Sequence, residues 1–167
     1  QLIHCDIWGP YRPECLSGAD YFLTIVYDCS RGLWVYLMKD KSEADDLMRE
    51  FCNMVKNQFE KNIKIVQSDN GMECLSCSLT NFYKDKGIIW RTSNVDTPQQ
   101  NGSVDRKHRN ILEKARALRF QASFPIKFWG QCVLTVAYLI NRTPTRVLGG
   151  MTPYEVLFKE KPDLSNM

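Results

Sequence analysis

"DYFLTIVYDCSRGLWVYLMKDKSEADDLMREFCNMVKNQFEKNIKIVQSDNG", Asp20 to Gly71, passes from one periodicity to another and back again. In "DYFLTIVYD" (20–28) and "LWVYLM" (33–38) β-branched and aromatic residues dominate, and the turn-formers of "CSRG" stand between them. That pattern predicts two strands joined as a hairpin. "KSEADDLMREFCNMVKNQFEK" (41–61) then carries Leu47, Phe51, Met54, Val55 and Phe59 at helical intervals, with Ser42 and Asp45 at capping-box spacing, so an amphipathic helix is expected there. "NIKIVQSDNG" (62–71) returns to a strand that ends in a Gly-containing turn. Strands interrupted by a helix in this way indicate an α/β chain.

Working outward, "QLIHCDI" (1–7) reads as an earlier strand, set off by the turn-forming "GPYRP". "SLTNFYKDKG" (78–87) predicts a short helix and "IIWRTS" (88–93) a fifth strand, giving the order β-β-β-α-β-α-β followed by helices. "NVDTPQQNGSVDRKHRNILEKARAL" (94–118) opens as a polar loop and becomes a basic helix. From Val104 onward, Val104, His108, Ile111, Ala115 and Leu118 form an apolar stripe, while Asp105, Arg109 and Arg116 share an outward one. After Pro125 the apolar "IKFWGQCVLTVAYLIN" (126–141) is a buried packing partner, and "RTPTRVLGGMTPYEVLF" adds two Thr-Pro turns and a short closing helix.

A chain of 167 residues without an internal repeat or linker is expected to form one domain over 1–167, with a short helix and tail from about 150. An apolar fraction of 44% and a charged fraction of 25% exclude disorder as an overall description. No stretch approaches the ~18 apolar residues of a membrane span and no leader precedes the first strand, so a soluble, intracellular protein without a membrane partner is expected. The opening "QLIHCDIWGP" has no initiator Met and reads as part of a longer polypeptide. Seven scattered cysteines fit reduced thiols. "CLSC" at 74–77 has metal-ligand spacing but no second Cys or His pair, which disfavours a zinc site.

Three acids attract attention. Asp6 alternates in register with His4 and Leu2 in a strand suited to burial, and Asp69 ends the fourth strand. A carboxylate at the margin of a sheet core must be hydrogen-bonded, paired or bound to a cation. Asp105 stands at the start of the basic helix, with 35 residues between it and Asp69. Taken singly, each has an ordinary reading: turn chemistry at Asp69-Asn70-Gly71, a hydrogen bond from a nearby amide at Asp6, and a helix-dipole partner at Asp105. Taken together, they suggest a site.

The stretches "HCDIWGPY", "FLTIVYDCSRGLWVYLMKDKSEA", "IKIVQSDNG", "VDTPQQNGSVDRKHRNILEKARALRFQASFPIKFWGQCVLTVAYLINRTPT" and "MTPYEVLF" occur here in an order that closely resembles the integrase catalytic core of plant copia-type retrotransposons, within the retroviral integrase group. The resemblance spans essentially the whole chain. It implies a ribonuclease H-like α/β fold, a five-stranded mixed sheet flanked by helices, and an Asp, Asp, Glu triad whose last two members are separated by 35 residues. Asp6 and Asp69 match the first two positions, and Asp105 stands at the third, where the family usually has Glu. Tyr27, Cys29, Met72, Cys74 and Ser103 also depart from the usual residues. The implied cofactor is Mg²⁺ or Mn²⁺ on Asp6, Asp69 and Asp105, the carboxylate donor chemistry that such ions prefer. The implied reaction is metal-dependent polynucleotidyl transfer on DNA, 3′-end processing followed by strand transfer. Implied partners are retroelement ends, target DNA and further copies of the protein, with the nucleus as location. A complete integrase also carries a His/Cys zinc module and a C-terminal DNA-binding region, neither of which is among these residues.

Residues 103–119 hold six Lys/Arg against Asp105 and Glu113. Beside the acid, Arg106, Lys107, Arg109, Lys114 and Arg116, following Gln99, Gln100 and Asn101 of the loop, suit DNA phosphates rather than bare solvent. His108, at the edge of the apolar stripe, reads as a core or capping histidine. Trp8, Trp34, Trp90 and Trp129 read as core residues, and Asp28 with Arg31 as a turn interaction with metal binding secondary. Two other functions stay open: an inert nucleic-acid-binding remnant, for which Asp105 is the discriminating residue, and an RNA-hybrid nuclease, against which the "RKHR", "NRTP" and "TPYEVLF" segments argue.

Overall fold

A computed structural model describes the backbone of residues 1–68, 77–92 and 98–164, with side chains throughout these spans except at 98–106. Five strands form one sheet: β1 (Leu2–Trp8), β2 (Tyr21–Tyr27), β3 (Leu33–Met38), β4 (Ile65–Ser68) and β5 (Ile89–Thr92). Their spatial order is β3-β2-β1-β4-β5. β1, β2 and β3 pair antiparallel, and β4 and β5 join in parallel. Among the described residues five α-helices accompany them: α1 (Ala44–Phe59), α2 (Cys77–Asp85), α3 (Pro98–Gln121), α4 (Trp129–Arg142) and α5 (Pro153–Phe158). This mixed sheet with flanking helices is the ribonuclease H-like architecture implied by the resemblance.

Alternation along the strands decides what each helix layer touches. Ile3 and Cys5 of β1 and Leu23 and Ile25 of β2 are buried with Met48, Phe51, Leu79 and Tyr83 of α1 and α2. Phe22 and Val26 turn the other way, to Ile111 and Ala115 of α3 and Trp129, Val133 and Val136 of α4. Each large apolar side chain so buried contributes about 1.5–3 kcal/mol relative to exposure. Trp8, Tyr11, Phe22 and Trp129 form an aromatic cluster with centroids 5.2–6.4 Å apart. The tryptophans therefore pack as core residues. After β1, Gly9 takes φ 132°, and a Cβ there would lie 2.6 Å from the Asp20 carbonyl oxygen.

The helix starts differ from expectation in two places. The capping box lies at Asp40 and Glu43, not at Ser42 and Asp45: the Asp40 carboxylate accepts from the Ser42 amide at 2.8 Å, and Glu43 accepts from the Asp40 amide at 2.9 Å. β3 ends at Met38, so the chain turns into a 3₁₀ segment (Lys41–Glu43) before α1 begins. At the other site α3 already begins at Pro98, so the segment 98–102, expected as loop, belongs to the helix. Proline suits a first helical turn because the amide it lacks would be unpaired there.

β3 lies at one edge of the sheet, and Asn141 near the end of α4 hydrogen-bonds to its backbone. Asn141 Oδ1 accepts from the Leu33 amide at 2.8 Å, and Asn141 Nδ2 donates to the Leu33 carbonyl at 2.7 Å. Asn141→Leu is expected to destabilise the fold by about 1–3 kcal/mol, the cost of two unsatisfied backbone groups beside a buried residue. Urea unfolding measures it, and a loss under about 0.5 kcal/mol would show that the amide has no such role.

Of the described cysteines, Cys29 and Cys77 are exposed free thiols, Cys5 is buried, and burial pushes Cys52 up to about 11. Alkylation of the folded protein near pH 8 is therefore expected at Cys29 and Cys77 well before Cys5 or Cys52. Mass mapping of the labelled peptides checks the order.

Candidate active site around Asp6

Asp6 sits in the middle of the sheet, paired across the ladder with Thr24 of β2. Strand alternation turns it, with His4 and Trp8, away from α1 and α2 and toward α3. It is only 7% exposed, and Thr24 is fully buried. A carboxylate there needs partners, and two of them are described. Oδ1 accepts from the Ile7 amide at 2.8 Å, and Oδ2 lies 3.2 Å from Nδ1 of His108 on α3. The other imidazole nitrogen, Nε2, is 3.0 Å from the Thr24 hydroxyl. With Asp6 ionised, Nδ1 must carry a proton, because a carboxylate can only accept. Phe22 meets the His108 ring edge-on at 5.5 Å, closing the site from the core side.

The core reading of His108 holds, since the residue is 6% exposed. Its contact with Asp6 was missed by sequence reasoning, although a signal existed. Ile111 and Ala115 share its stripe and are buried against the sheet, which directs His108 to the same face that alternation assigns to Asp6.

β4 approaches from the other side of β1, where Ser68 pairs with Cys5 and accepts a hydrogen bond from the Trp90 indole at 2.8 Å. Asp69, the next residue, lies outside the described residues. So do the side chains of Gln99, Gln100, Asn101, Asp105 and Arg106, although all five positions fall within α3. Among the described residues no group of three or more His, Cys, Asp or Glu side chains is arranged to hold a metal. Asp28 joins Arg31 at 3.3 Å, the expected turn interaction, and also lies 3.5 Å from His4.

The structure separates the described basic residues of α3. Arg109 and Arg116 are exposed, as the outward stripe requires. Arg116 lines a small groove with Arg119, Tyr11 and Trp129. Lys107 and Lys114 instead line a different groove with Arg31. Burial, and then the nearby charges of Arg31 and Lys114, lower the Lys107 ammonium below the usual lysine range.

Residues 1–98 match the integrase core domain family, a span that includes Asp6 and Asp69 and stops before Asp105. The chain is 34% identical over 166 residues to the retrovirus-related Pol polyprotein from transposon TNT 1-94 of Nicotiana tabacum, covering 99% of this chain and 12% of that protein. It is 32% identical over 167 residues to the retrovirus-related Pol polyprotein from transposon RE2 of Arabidopsis thaliana, and 32% identical over 169 residues to that from transposon RE1. Each of these two matches covers 100% of this chain and 11% of the relative. The chain thus spans about an eighth or less of the length of these relatives. No described helix is long and apolar enough to cross a membrane.

His108→Ala would remove the imidazole that meets both the buried Asp6 carboxylate and the Thr24 hydroxyl. A loss of about 2–4 kcal/mol is expected in urea unfolding. His108→Asn, which can still donate toward Asp6, should recover part of it, and equal losses in both variants would show that the pairing contributes nothing.

Proposed function

From the premise that this chain belongs to the integrase core domain family, we propose that it is the catalytic core, over residues 1–167, of a retrotransposon integrase acting on DNA in the nucleus. The observation that carries the reading is Asp6, a carboxylate held inside the sheet and aimed at α3. Its donor chemistry fits a divalent cation: oxygen only, fixed by the Ile7 amide and His108, on the strand next to the one that leads to Asp69. Asp6, Asp69 and Asp105 would hold Mg²⁺ or Mn²⁺. Bound there, the ions would supply charge neutralisation to the nonbridging, attacking and leaving oxygens of a phosphodiester.

The chain itself contributes position. Thr24 and His108 hold Asp6 in one orientation, so the carboxylate does not have to reorganise when the phosphate arrives. Arg109 and Arg116, exposed on α3, would hold the DNA backbone beside the acids together with Arg106, without reading its sequence. In the first reaction water adds to a phosphorus and releases a 3′-hydroxyl. In the second that hydroxyl attacks a target phosphate in line, and the target's own 3′-oxygen leaves with the proton.

Asp105 favours a second reading, a remnant that binds nucleic acid without chemistry. Aspartate in place of glutamate retracts the carboxylate by about 1.5 Å, close to one helical rise, and a misplacement of about 1 Å can cost on the order of 100-fold in rate. Calorimetric titration with Mg²⁺ and Mn²⁺, using Asp69→Asn as the blank, separates the two. Binding that disappears in the variant is expected, and absence of binding with or without DNA would leave the remnant. Asp105→Glu is expected to raise metal-dependent cleavage of an end-mimicking duplex by up to about 100-fold; no gain would remove position 105 from the triad.

A further inference from the structure

On the flank of α3 turned away from Arg116, a groove of about 530 Å³ opens between α3, the β2–β3 turn and the connection that follows α4. Among the described residues three cations line it, Arg31, Lys107 and Lys114, with the Asn110 amide and Thr145 as neutral polar groups and no acidic side chain. Lys107, Asn110 and Lys114 recur at i, i+3 and i+7, so they form one row along the helix. Like charges gathered in a partly desolvated groove repel one another, and an anion would relieve that repulsion.

The placement of Arg31 supports the same conclusion independently. It takes φ 57°, in the left-handed region where Gly or Asn costs less, and Gly32 follows it. Its guanidinium is held from behind by Asp28 at 3.3 Å while it lines the groove. The turn thus keeps a cation at a position where the backbone alone would favour glycine.

We propose that this groove is a phosphate-backbone binding site for DNA, separate from the Asp6 site and built from Arg31, Lys107 and Lys114 with Asn110. The proposal rests on the reading that DNA is the partner. Lys107 and Lys114 are about 10 Å apart along the helix, a length that covers about three phosphates of one strand at 3.4 Å per phosphate along the duplex axis. Such contacts position the duplex and carry no sequence readout. The groove would hold DNA that extends away from the reacting phosphate.

The test is the salt dependence of duplex binding by fluorescence anisotropy, performed in EDTA so that no metal chemistry enters. Arg31→Gln combined with Lys114→Gln is expected to flatten the slope of log K against log [KCl] by about two, near 0.9 for each lost phosphate contact. Arg31→Lys with Lys114→Arg should retain the wild-type slope. Lys56→Gln with Lys84→Gln removes the same charge from exposed positions on α1 and α2, and should leave the slope nearly unchanged. An unchanged slope in the groove variant, an equal flattening in the α1/α2 control, or no binding by the wild-type protein would each overturn the proposal. Loss of cleavage with the groove effect intact would instead count only against the transferase reading.

Discussion

The Asp6 carboxylate is held between one backbone amide and one imidazole inside the α3 face of the sheet, and much of the surface chemistry follows from that contact. Buried carboxylates are tolerated when their oxygens are engaged, and here one engaging group comes from the neighbouring helix. The contact therefore sets rotation as well as stability. With His108 pointed at the sheet, each adjacent residue of α3 is turned by about 100° around the helix axis. Lys107 goes to one flank and Arg109 to the other. The two basic surfaces of α3 are a geometric consequence of where its histidine is pinned.

The sheet adds a second constraint. Every strand of its centre must serve two layers, and β2 does so by sending Leu23 and Ile25 to α1 and α2 while Phe22 and Val26 go to α3 and α4. Thr24 is the polar interruption in that second row, directly across from Asp6. The polar pocket is thus one step wide, bounded by Phe22 on one side and Val26 on the other. A site confined in this way fixes side-chain geometry without a large cavity.

Much of this was legible in the chain. The β-branched and aromatic runs over 20–28 and 33–38 specified the hairpin, the helical stripes specified α1 and α3 from Val104 onward, and the register of Leu2, His4 and Asp6 specified the face on which the acid lies. The resemblance to integrase cores supplied the sheet's mixed character, which no local pattern carries. What stayed hidden depended on distance or on competition between equivalent local signals. Asp40-Lys41-Ser42-Glu43 and Ser42-Glu43-Ala44-Asp45 both have capping spacing, and the point where β3 ends selects the first. Polar residues at 98–102 suggested a loop, yet Pro98 can begin a helix. The pairing of Asp6 with His108 joins residues a hundred positions apart, and the grouping of Arg31 with Lys107 depends on how deeply α3 settles on the sheet.

Asn141 has a consequence beyond the stability of α4. The amide and carbonyl of Leu33 face outward from β3, and the Asn141 carboxamide meets both, standing in for one residue of a strand that is not there. An exposed strand edge is a template on which another extended chain can pair. At Leu33 that template is already occupied by a side chain from the protein's own helix. A second molecule adding a strand along this edge would have to displace the carboxamide or stop short of it. The same two hydrogen bonds that fasten a helix to the sheet also interrupt the edge against unwanted partners.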